Sequence, residues 1–471
     1  MHTILLSGGS GKRLWPLSNG VRTKVFLPLL QGPDGGRESM LQRICRQLDG
    51  AGLLQSALLV SHHSQTEVTL SQIGSRIPVL SESHRRGTFC AVALAAVHLY
   101  ASGQAQADDP VCFLPADLFA EAGFFDTIRR LPDILARSGA DLALIGTQPT
   151  QPSAQFGYIV PKKGESGEYY PIARFTEKPG EAEAKRLIRR RALWNCGVYA
   201  FKLGFLLSEL KKRGLPWTVE ELGRLVEGLH ELSFDREVAE QTPHAVVVPY
   251  DLPWTDLGTW EALASQFGSP VLGQGSVSGL AQGTQLVNEL PIPIHVIGAS
   301  NLIVAASQDG ILVADKSQSH LVKEAIEKEE AVRSVRYVEK RWGSKTVIDH
   351  TASAQRGETC TTRIRLAAGK HTSYHLHTVL SETIIVLDGQ GEVRREGVLH
   401  TVKAGDRIEF PPGCAHAVKA LSDLLFLQIH FGEPSSGTDH LRIRMEWDPP
   451  VLPESPDPED PEDPADASPL P

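Results

Sequence analysis

An apolar run that opens straight into a glycine-rich, basic loop constrains this chain more than any other feature. Residues 1–6 (MHTILL) are followed at once by Ser7, Gly8, Gly9, Ser10, Gly11, Lys12 and Arg13, and Lys24 lies just beyond. Such a strand-and-loop unit is a phosphate-binding device. Its glycines let backbone N–H groups turn toward an anion with no Cβ in the way. Lys12, Arg13 and Lys24 supply charge for a polyphosphate. The segment lacks G-x-x-x-x-G-K-[ST] and the full G-x-G-x-x-G, so it is neither a Walker A loop nor a dinucleotide fingerprint. A glycine-rich turn alone is also compatible with an ordinary strand-to-helix connection.

Around this loop, residues 1–265 alternate strand-like and helix-like stretches. Runs at 57–61 (ALLVS), 111–115 (VCFLP) and 143–147 (ALIGT) are of buried-strand type, with a helical stretch at 91–101. The alternation predicts a doubly wound, Rossmann-like α/β domain with a mostly parallel sheet. Ligands of such sheets sit beyond the carboxyl ends of the strands, where the opening loop and Asp117 both fall. From 266 to 335, glycine and short β-branched runs predict a small β-rich connector ending in a helix over 317–330. Residues 336–445 alternate like strands with glycine turns, which predicts a β-barrel or double-sheet sandwich.

Composition sets the class. The apolar fraction of 41% and charged fraction of 22% are those of a soluble globular protein. No apolar run is long enough for a transmembrane helix, and residues 8–13 interrupt the first one too early for a signal peptide. Six scattered cysteines, with no C-x-x-C pair, read as reduced thiols of a cytoplasmic protein. The net charge of −9 is concentrated at one end. Residues 448–471 carry eight acids, no base and nine prolines, so the remainder is near neutral. A segment of that composition cannot bury a core, and 446–471 is expected to be a disordered acidic tail. The balance gives no sign of a nucleic-acid or membrane partner.

Two constellations carry chemistry. In the first, Asp117 closes FLPAD and Asp256 sits in WTDLGTW; paired carboxylates facing a polyphosphate loop are natural Mg²⁺ ligands. The adjacent Glu177 and Lys178 offer an acceptor for hydroxyls and a cation for a phosphate, though such a pair is also common on a solvated surface. In the second, Gly369, His375, His377, Glu382 and Gly389 are spaced G-x5-H-x-H-x4-E-x6-G, and Gly405, Pro411, Gly413 and His416 are spaced G-x5-P-x-G-x2-H. Strand periodicity puts His375 and His377 on one face, and three histidines with a glutamate can close around a divalent ion such as Zn.

The ordered string GGSGKRLWPLS with Lys24 resembles the signature of sugar nucleotidyltransferases, and Trp15 and Ser18 are most similar to the mannose-1-phosphate guanylyltransferase branch. Thr23 stands where that pattern has Pro, and Leu118 where a His follows the first aspartate. Residues 82–88 (ESHRRGT) resemble the nucleotide-binding turn, with Gly87 replacing Asn. FGYI at 156–159, FTEKP at 175–179 and WNCG at 194–197 resemble sugar-contacting motifs, and SFD at 233–235 is a looser match. The resemblance implies transfer of GMP from GTP to mannose 1-phosphate, giving GDP-mannose and pyrophosphate. It implies catalytic roles for Arg13, Lys24 and Lys178, and nucleotide contacts from Gly8, Gly9, Gly11, Arg13, Arg86 and Thr88. Sugar-phosphate contacts would come from Gly157, Glu177, Lys178 and Asn195, and Mg²⁺ would sit on Asp117 and Asp256. The mechanism needs no strong base, since the attacking phosphate oxygen is already anionic.

The second constellation resembles the cupin signature, with His375, His377, Glu382 and His416 as ligands; Ala420 stands where the second motif ends in Asn. A guanylyltransferase fused to a cupin resembles the bifunctional type II phosphomannose isomerases. Arg341, Trp342 and Gly343 fit the start of their cupin. The run 377–383 (HTVLSET) departs from their R-x-E-H-W type stretch, so a metal-stabilised or sugar-sensing cupin stays open beside an isomerase. Also open are another sugar phosphate or base, a non-catalytic sensor, and a homo-oligomeric state.

Overall fold

The computed structural model describes residues 1–9, 11–162, 167–327, 335–353, 357–433 and 439–448. The chain forms two compact units, Met1–Thr346 and Val347–Pro471. The expected acidic tail from residue 449 onward, and residues 328–330 of the expected helix, lie outside the described residues.

The first unit is built on a nine-stranded sheet. Its strand order is Val79–Glu82, Ala57–His62, His2–Leu6, Pro110–Pro115, Leu193–Lys202, Leu142–Thr147, Ala245–Tyr250, Tyr170–Thr176, Tyr158–Pro161. Seven strands point one way, while Leu193–Lys202 and Tyr170–Thr176 run against them. The sheet is therefore mostly parallel, as expected, with one antiparallel strand at its centre and one next to its far edge. A wholly buried run such as Leu142–Thr147 announces its burial in the sequence but not its direction.

Side chains alternate across the sheet, so successive residues serve opposite layers. Ile4 packs under the helix Thr88–Ala101, and Leu5 belongs to the opposite core layer that includes Met40–Gly50 and Ala122–Ser138; both are fully buried. Thr88–Ala101 is apolar nearly all round and is buried accordingly, whereas Ala122–Ser138 keeps a polar outer face.

Strand ends then place the chemistry. Leu6 is level with Pro115, so the glycine-rich loop and Asp117 leave the sheet side by side. A two-strand ladder beyond the edge, Leu118–Ala120 with Trp254–Asp256, pairs Asp256 with Leu118. Two aspartates distant in sequence thus become neighbours.

The segment expected as a connector is part of the first unit. Val271–Gly273, Gln285–Asn288 and Leu302–Ser307 stack as parallel rungs, Gly275–Val277 pairs with Ile294–Val296, and Gly310–Asp315 closes the ladder antiparallel. The expected helix begins as a 3-10 turn, Lys316–Leu321, because Asp315 accepts from Ser317 N at 2.8 Å; α-helix follows over Val322–Glu327.

In the second unit two antiparallel sheets enclose the core. One orders Gly357–Leu366, Leu424–Gly432, Ser381–Asp388 and Arg407–Phe410. The other orders Val398–Lys403, Gln390–Arg395, His416–Ala420, Tyr374–His377 and His440–Arg444. This is the barrel-like double sheet that the strand spacing predicts.

Candidate functional site

The phosphate loop turns at Gly11, whose φ of 66° and close approach to the Asn19 carbonyl leave no room for a Cβ. Ser18 Oγ donates to the Gly11 carbonyl and locks the turn. The connector grips the same segment. Ser307 Oγ donates to Pro16 O at 2.6 Å, and Asn19 Nδ2 to Asp309 at 2.8 Å. Arg22 is 4% exposed and pairs with Glu289 at 2.8 Å and Glu339 at 2.8 Å. Trp260, fully buried, donates its indole N–H to Trp15 O at 3.0 Å. The loop's shape is thus set largely by parts of the chain 240 or more residues away.

Lys24 bridges the two aspartates. It pairs with Asp117 at close range and with Asp256 at 3.4 Å. Burial would lower its pKa, but Asp117 and Asp256 outweigh that and raise it. A Cβ on Gly258 would lie 3.1 Å from both Asp256 oxygens and 3.3 Å from Arg13 Nη1. That hydrogen-only position keeps a cradle open between Arg13 and the carboxylates. The set of hard oxygen donors fits Mg²⁺.

Two cavities of about 200 Å³ each meet at Asp117. One is lined by Gly9, Gly11, Lys12, Arg13, Lys24 and Gly258. The other is lined by Phe156, Gly157, Glu177, Lys178, Asn195, Asp235 and Asp256. In the second, Gly157 is required for space, since a Cβ there would stand 2.7 Å from Glu177 Oε2. Glu177 is buried, and desolvation together with Asp235 raises its carboxyl pKa. Lys178 Nζ sits 2.8 Å from it, on a backbone with φ of 46°. Such a left-handed, non-glycine residue is uncommon and is held here at the cavity wall. Asn195 donates to Asp235 at 3.0 Å and to Tyr199 at 2.6 Å.

Of the residues singled out from sequence, Arg86 and Thr88 stand apart from both cavities. Arg86 donates to the Glu227 carbonyl at 2.7 Å, and Thr88 Oγ1 accepts from Phe234 N at 2.9 Å. Gly8 faces Glu82, whose side chain the motif reading left without a role. Glu82 is buried, and desolvation, against the pull of Arg85, pushes its pKa up to about 7. Asp235 was visible only as part of a loose motif, yet it anchors the hydrogen-bond network of Asn195 and Tyr199 at the second cavity.

In the second unit, His375 pairs directly with His416 across one sheet, while Glu382 enters from the facing sheet. The ligand atoms of His375, His377, Glu382 and His416 all lie within 4.8 Å of one another, and all four residues are buried. Each histidine is turned by its Nδ1. His375 Nδ1 meets Ser373 O at 2.8 Å, His416 Nδ1 meets Cys414 O at 3.0 Å, and His377 Nδ1 lies 3.2 Å from Asp439. Every Nε2 is thereby aimed inward. The Nε2 atoms of His377 and His416 are buried without a hydrogen-bond partner, 3.2 and 3.3 Å from Glu382 Oε2. Burial would raise the Glu382 carboxyl, but contacts from His377, His416 and His430 hold it well below the usual range. Burial, with His416 nearby, pushes His375 down to about 3, whereas His416, which burial would lower, is raised by its contact with Glu382. Orphaned, converging nitrogens and one oxygen suit a first-row divalent ion. The spacing motif did not reveal His430, 3.0 Å from Glu382, or Asp439. Both lie far along the chain and arrive only through strand register.

The nucleotidyl transferase family matches residues 2–268, and the cupin domain family matches 362–430. The chain therefore belongs to the nucleotidyl transferase family and carries a cupin domain. It is 29% identical to a putative mannose-1-phosphate guanylyltransferase of Vibrio cholerae serotype O1, over 88% of this chain and 93% of that protein. It is 30% identical to the xanthan biosynthesis protein XanB of Xanthomonas campestris pv. campestris, over 88% of this chain and 92% of that one. Among solved structures it resembles a mannose-1-phosphate geranyltransferase from Thermus thermophilus. The TM-score is 0.57 and the identity 29%, covering 70% of this chain and 99% of that one. Among the described residues, no helix is long and apolar enough to cross a membrane, and no disulfide joins any two cysteines.

Proposed function

We propose that the first unit transfers GMP from GTP to mannose 1-phosphate, releasing pyrophosphate and GDP-mannose. The observation that carries this reading is the junction of the two cavities at Asp117, with Lys24 and Asp256 beside it. A triphosphate in one cavity and a sugar 1-phosphate in the other would meet there. Glu177 and Asn195 would accept and donate hydrogen bonds to sugar hydroxyls, and Lys178 would hold the sugar phosphate in line with the α-phosphorus. Arg13 and Lys24 would neutralise charge on the triphosphate as the attacking and leaving oxygens exchange. Asp117 and Asp256 would hold Mg²⁺, which when bound offsets the negative charge of the reacting phosphates. Glu82, facing Gly8, supports a guanine base. One ionised carboxylate accepts from both N–H groups on that base's edge. The relatives' names support the same substrates.

The test is pyrophosphate release with Mg²⁺, GTP and mannose 1-phosphate, beside UTP, dTTP and glucose 1-phosphate. Release confined to the GTP and mannose 1-phosphate pair is expected. Release with another pair would change the substrates, and none with any pair would favour a sensor.

A second reading attaches to the cupin unit, where a cavity of about 990 Å³ lies against Glu382, lined also by Arg395, His400 and Arg407. Its size leaves room for a sugar phosphate beside a Zn-like divalent ion, with Arg395 as a phosphate partner among the carboxylates Asp406 and Glu409, and interconversion of mannose 6-phosphate and fructose 6-phosphate is its test reaction.

A further inference from the structure

The connector's last helix brings an unassigned lysine to the phosphate cavity. Lys323 lines that cavity together with Lys12, Arg13 and Lys24. It comes from the six-residue helix Val322–Glu327, whose other face is anchored. Val322 is 5% exposed, and Ile326 packs against the main core. Glu261 N donates to Ser319 Oγ at 3.4 Å, tying the preceding turn to the sheet domain. Glu327 Oε1 lies 3.4 Å from Lys12 Nζ and 3.8 Å from Lys323 Nζ. One carboxylate oxygen thus serves two ammonium groups that would otherwise repel each other across the mouth of the cavity.

We propose that Lys323, with Lys12, binds the β- and γ-phosphates of the nucleotide and then the pyrophosphate that leaves, with Glu327 as the counter-ion those phosphates displace. The inference rests on the nucleotidyl-transfer reading of the same site. Its chemistry follows from where charge accumulates. As an oxygen of the sugar 1-phosphate bonds to the α-phosphorus, the bond from that phosphorus to the bridging oxygen breaks, and both of its electrons stay on the bridging oxygen. Pyrophosphate therefore gains charge at the end of the cavity opposite the sugar. Arg13 and Lys24 stand near the aspartates at the reacting end, whereas Lys323 is supplied by the connector's helix at the wall that also carries Lys12 and Glu327. A flexible lysine at that wall adds a point charge without demanding fixed geometry.

The experiment uses the full chain. Calorimetric titration with magnesium pyrophosphate is run on the wild type, Lys323→Ala, Lys323→Arg and Glu327→Gln, alongside forward kinetics. In Lys323→Ala, pyrophosphate Kd and nucleotide KM are expected to rise about ten-fold, the loss of one charge-assisted contact. The mannose 1-phosphate KM should stay within about two-fold, Lys323→Arg should restore binding, and Glu327→Gln should tighten it. Unchanged pyrophosphate binding in Lys323→Ala, or an equal loss toward mannose 1-phosphate, would overturn the proposal. Because pyrophosphate binding is read without turnover, a wild type inactive on GTP and mannose 1-phosphate refutes the substrate reading separately.

Discussion

The Asp117–Asp256 site and the His375–His377–Glu382–His416 site both collect ionisable groups at the ends of strands, but they balance them in opposite ways. In the first, two half-exposed aspartates face a lysine, and the counter-charge is another side chain of the protein. In the second, the ligands are buried, and each histidine is turned inward by an outward hydrogen bond or carboxylate neighbour. A site whose charges are neutralised internally can exchange partners as substrates come and go. A site with orphaned inward nitrogens is built to keep one ion. The two also differ in exposure: Asp117 and Asp256 keep part of their side chains in solvent, whereas Glu382 is only 2% exposed although a cavity lies against it.

The sharpest way to break the comparison is to remove an aspartate. Asp117→Ala should lower turnover by about 10²–10³-fold while circular dichroism stays native. An active Asp117→Ala protein would end the metal assignment there. Next in size is Arg22→Ala, which leaves Glu289 and Glu339 facing each other without their shared cation. Denaturant unfolding should show a loss of about 3 kcal/mol, at the low end for a buried pair because both glutamates keep some solvent. A change under about 1 kcal/mol would mean that the connector's grip on the loop is not energetic.

On the histidine side, Asp439→Asn should weaken metal retention by about 10–100-fold, measured by chelator competition. Unaltered retention would show that strand packing alone orients His377. The smallest effect concerns pH. Glu82 titrates near 7, raised by burial, so it is ionised above that pH and protonated below it. A protonated carboxyl loses an acceptor, and the GTP KM should rise as pH falls through about 7. The same raised pKa favours the fold below about 4.5, a gain lost as pH rises toward about 7. Glu82→Gln should flatten the GTP profile, and a profile identical to that of the wild type would remove Glu82 from base recognition.

Much of this was legible in sequence. The strands near 57–61, 111–115 and 143–147 and the helix after Gly87 fall where the apolar runs put them, since burial on both faces leaves a continuous hydrophobic imprint. The H-x-H and distal His spacing likewise led to four residues that converge in space. Strand direction left no imprint, so the reversed Leu193–Lys202 was not foreseen. Glu82, Asp235, His430 and Asp439 are single polar residues in undistinguished local sequence. Arg86 and Thr88, expected from the motif as nucleotide contacts, hydrogen-bond to the 227–234 segment, a partner that no local pattern announces.

By itself the sequence determined the local geometry of each device: a loop that can bend around phosphate because Gly11 has no side chain, and histidines alternating onto one strand face. These follow from backbone sterics and period, which act over a few residues. Only the tertiary structure decided which devices meet. Asp256 joins Asp117 through a three-residue ladder, Lys323 reaches the phosphate cavity from the connector, and Glu382 crosses to the histidines from the opposite sheet. Those meetings depend on strand order, register and packing summed over the whole core, and no short stretch of sequence encodes that sum.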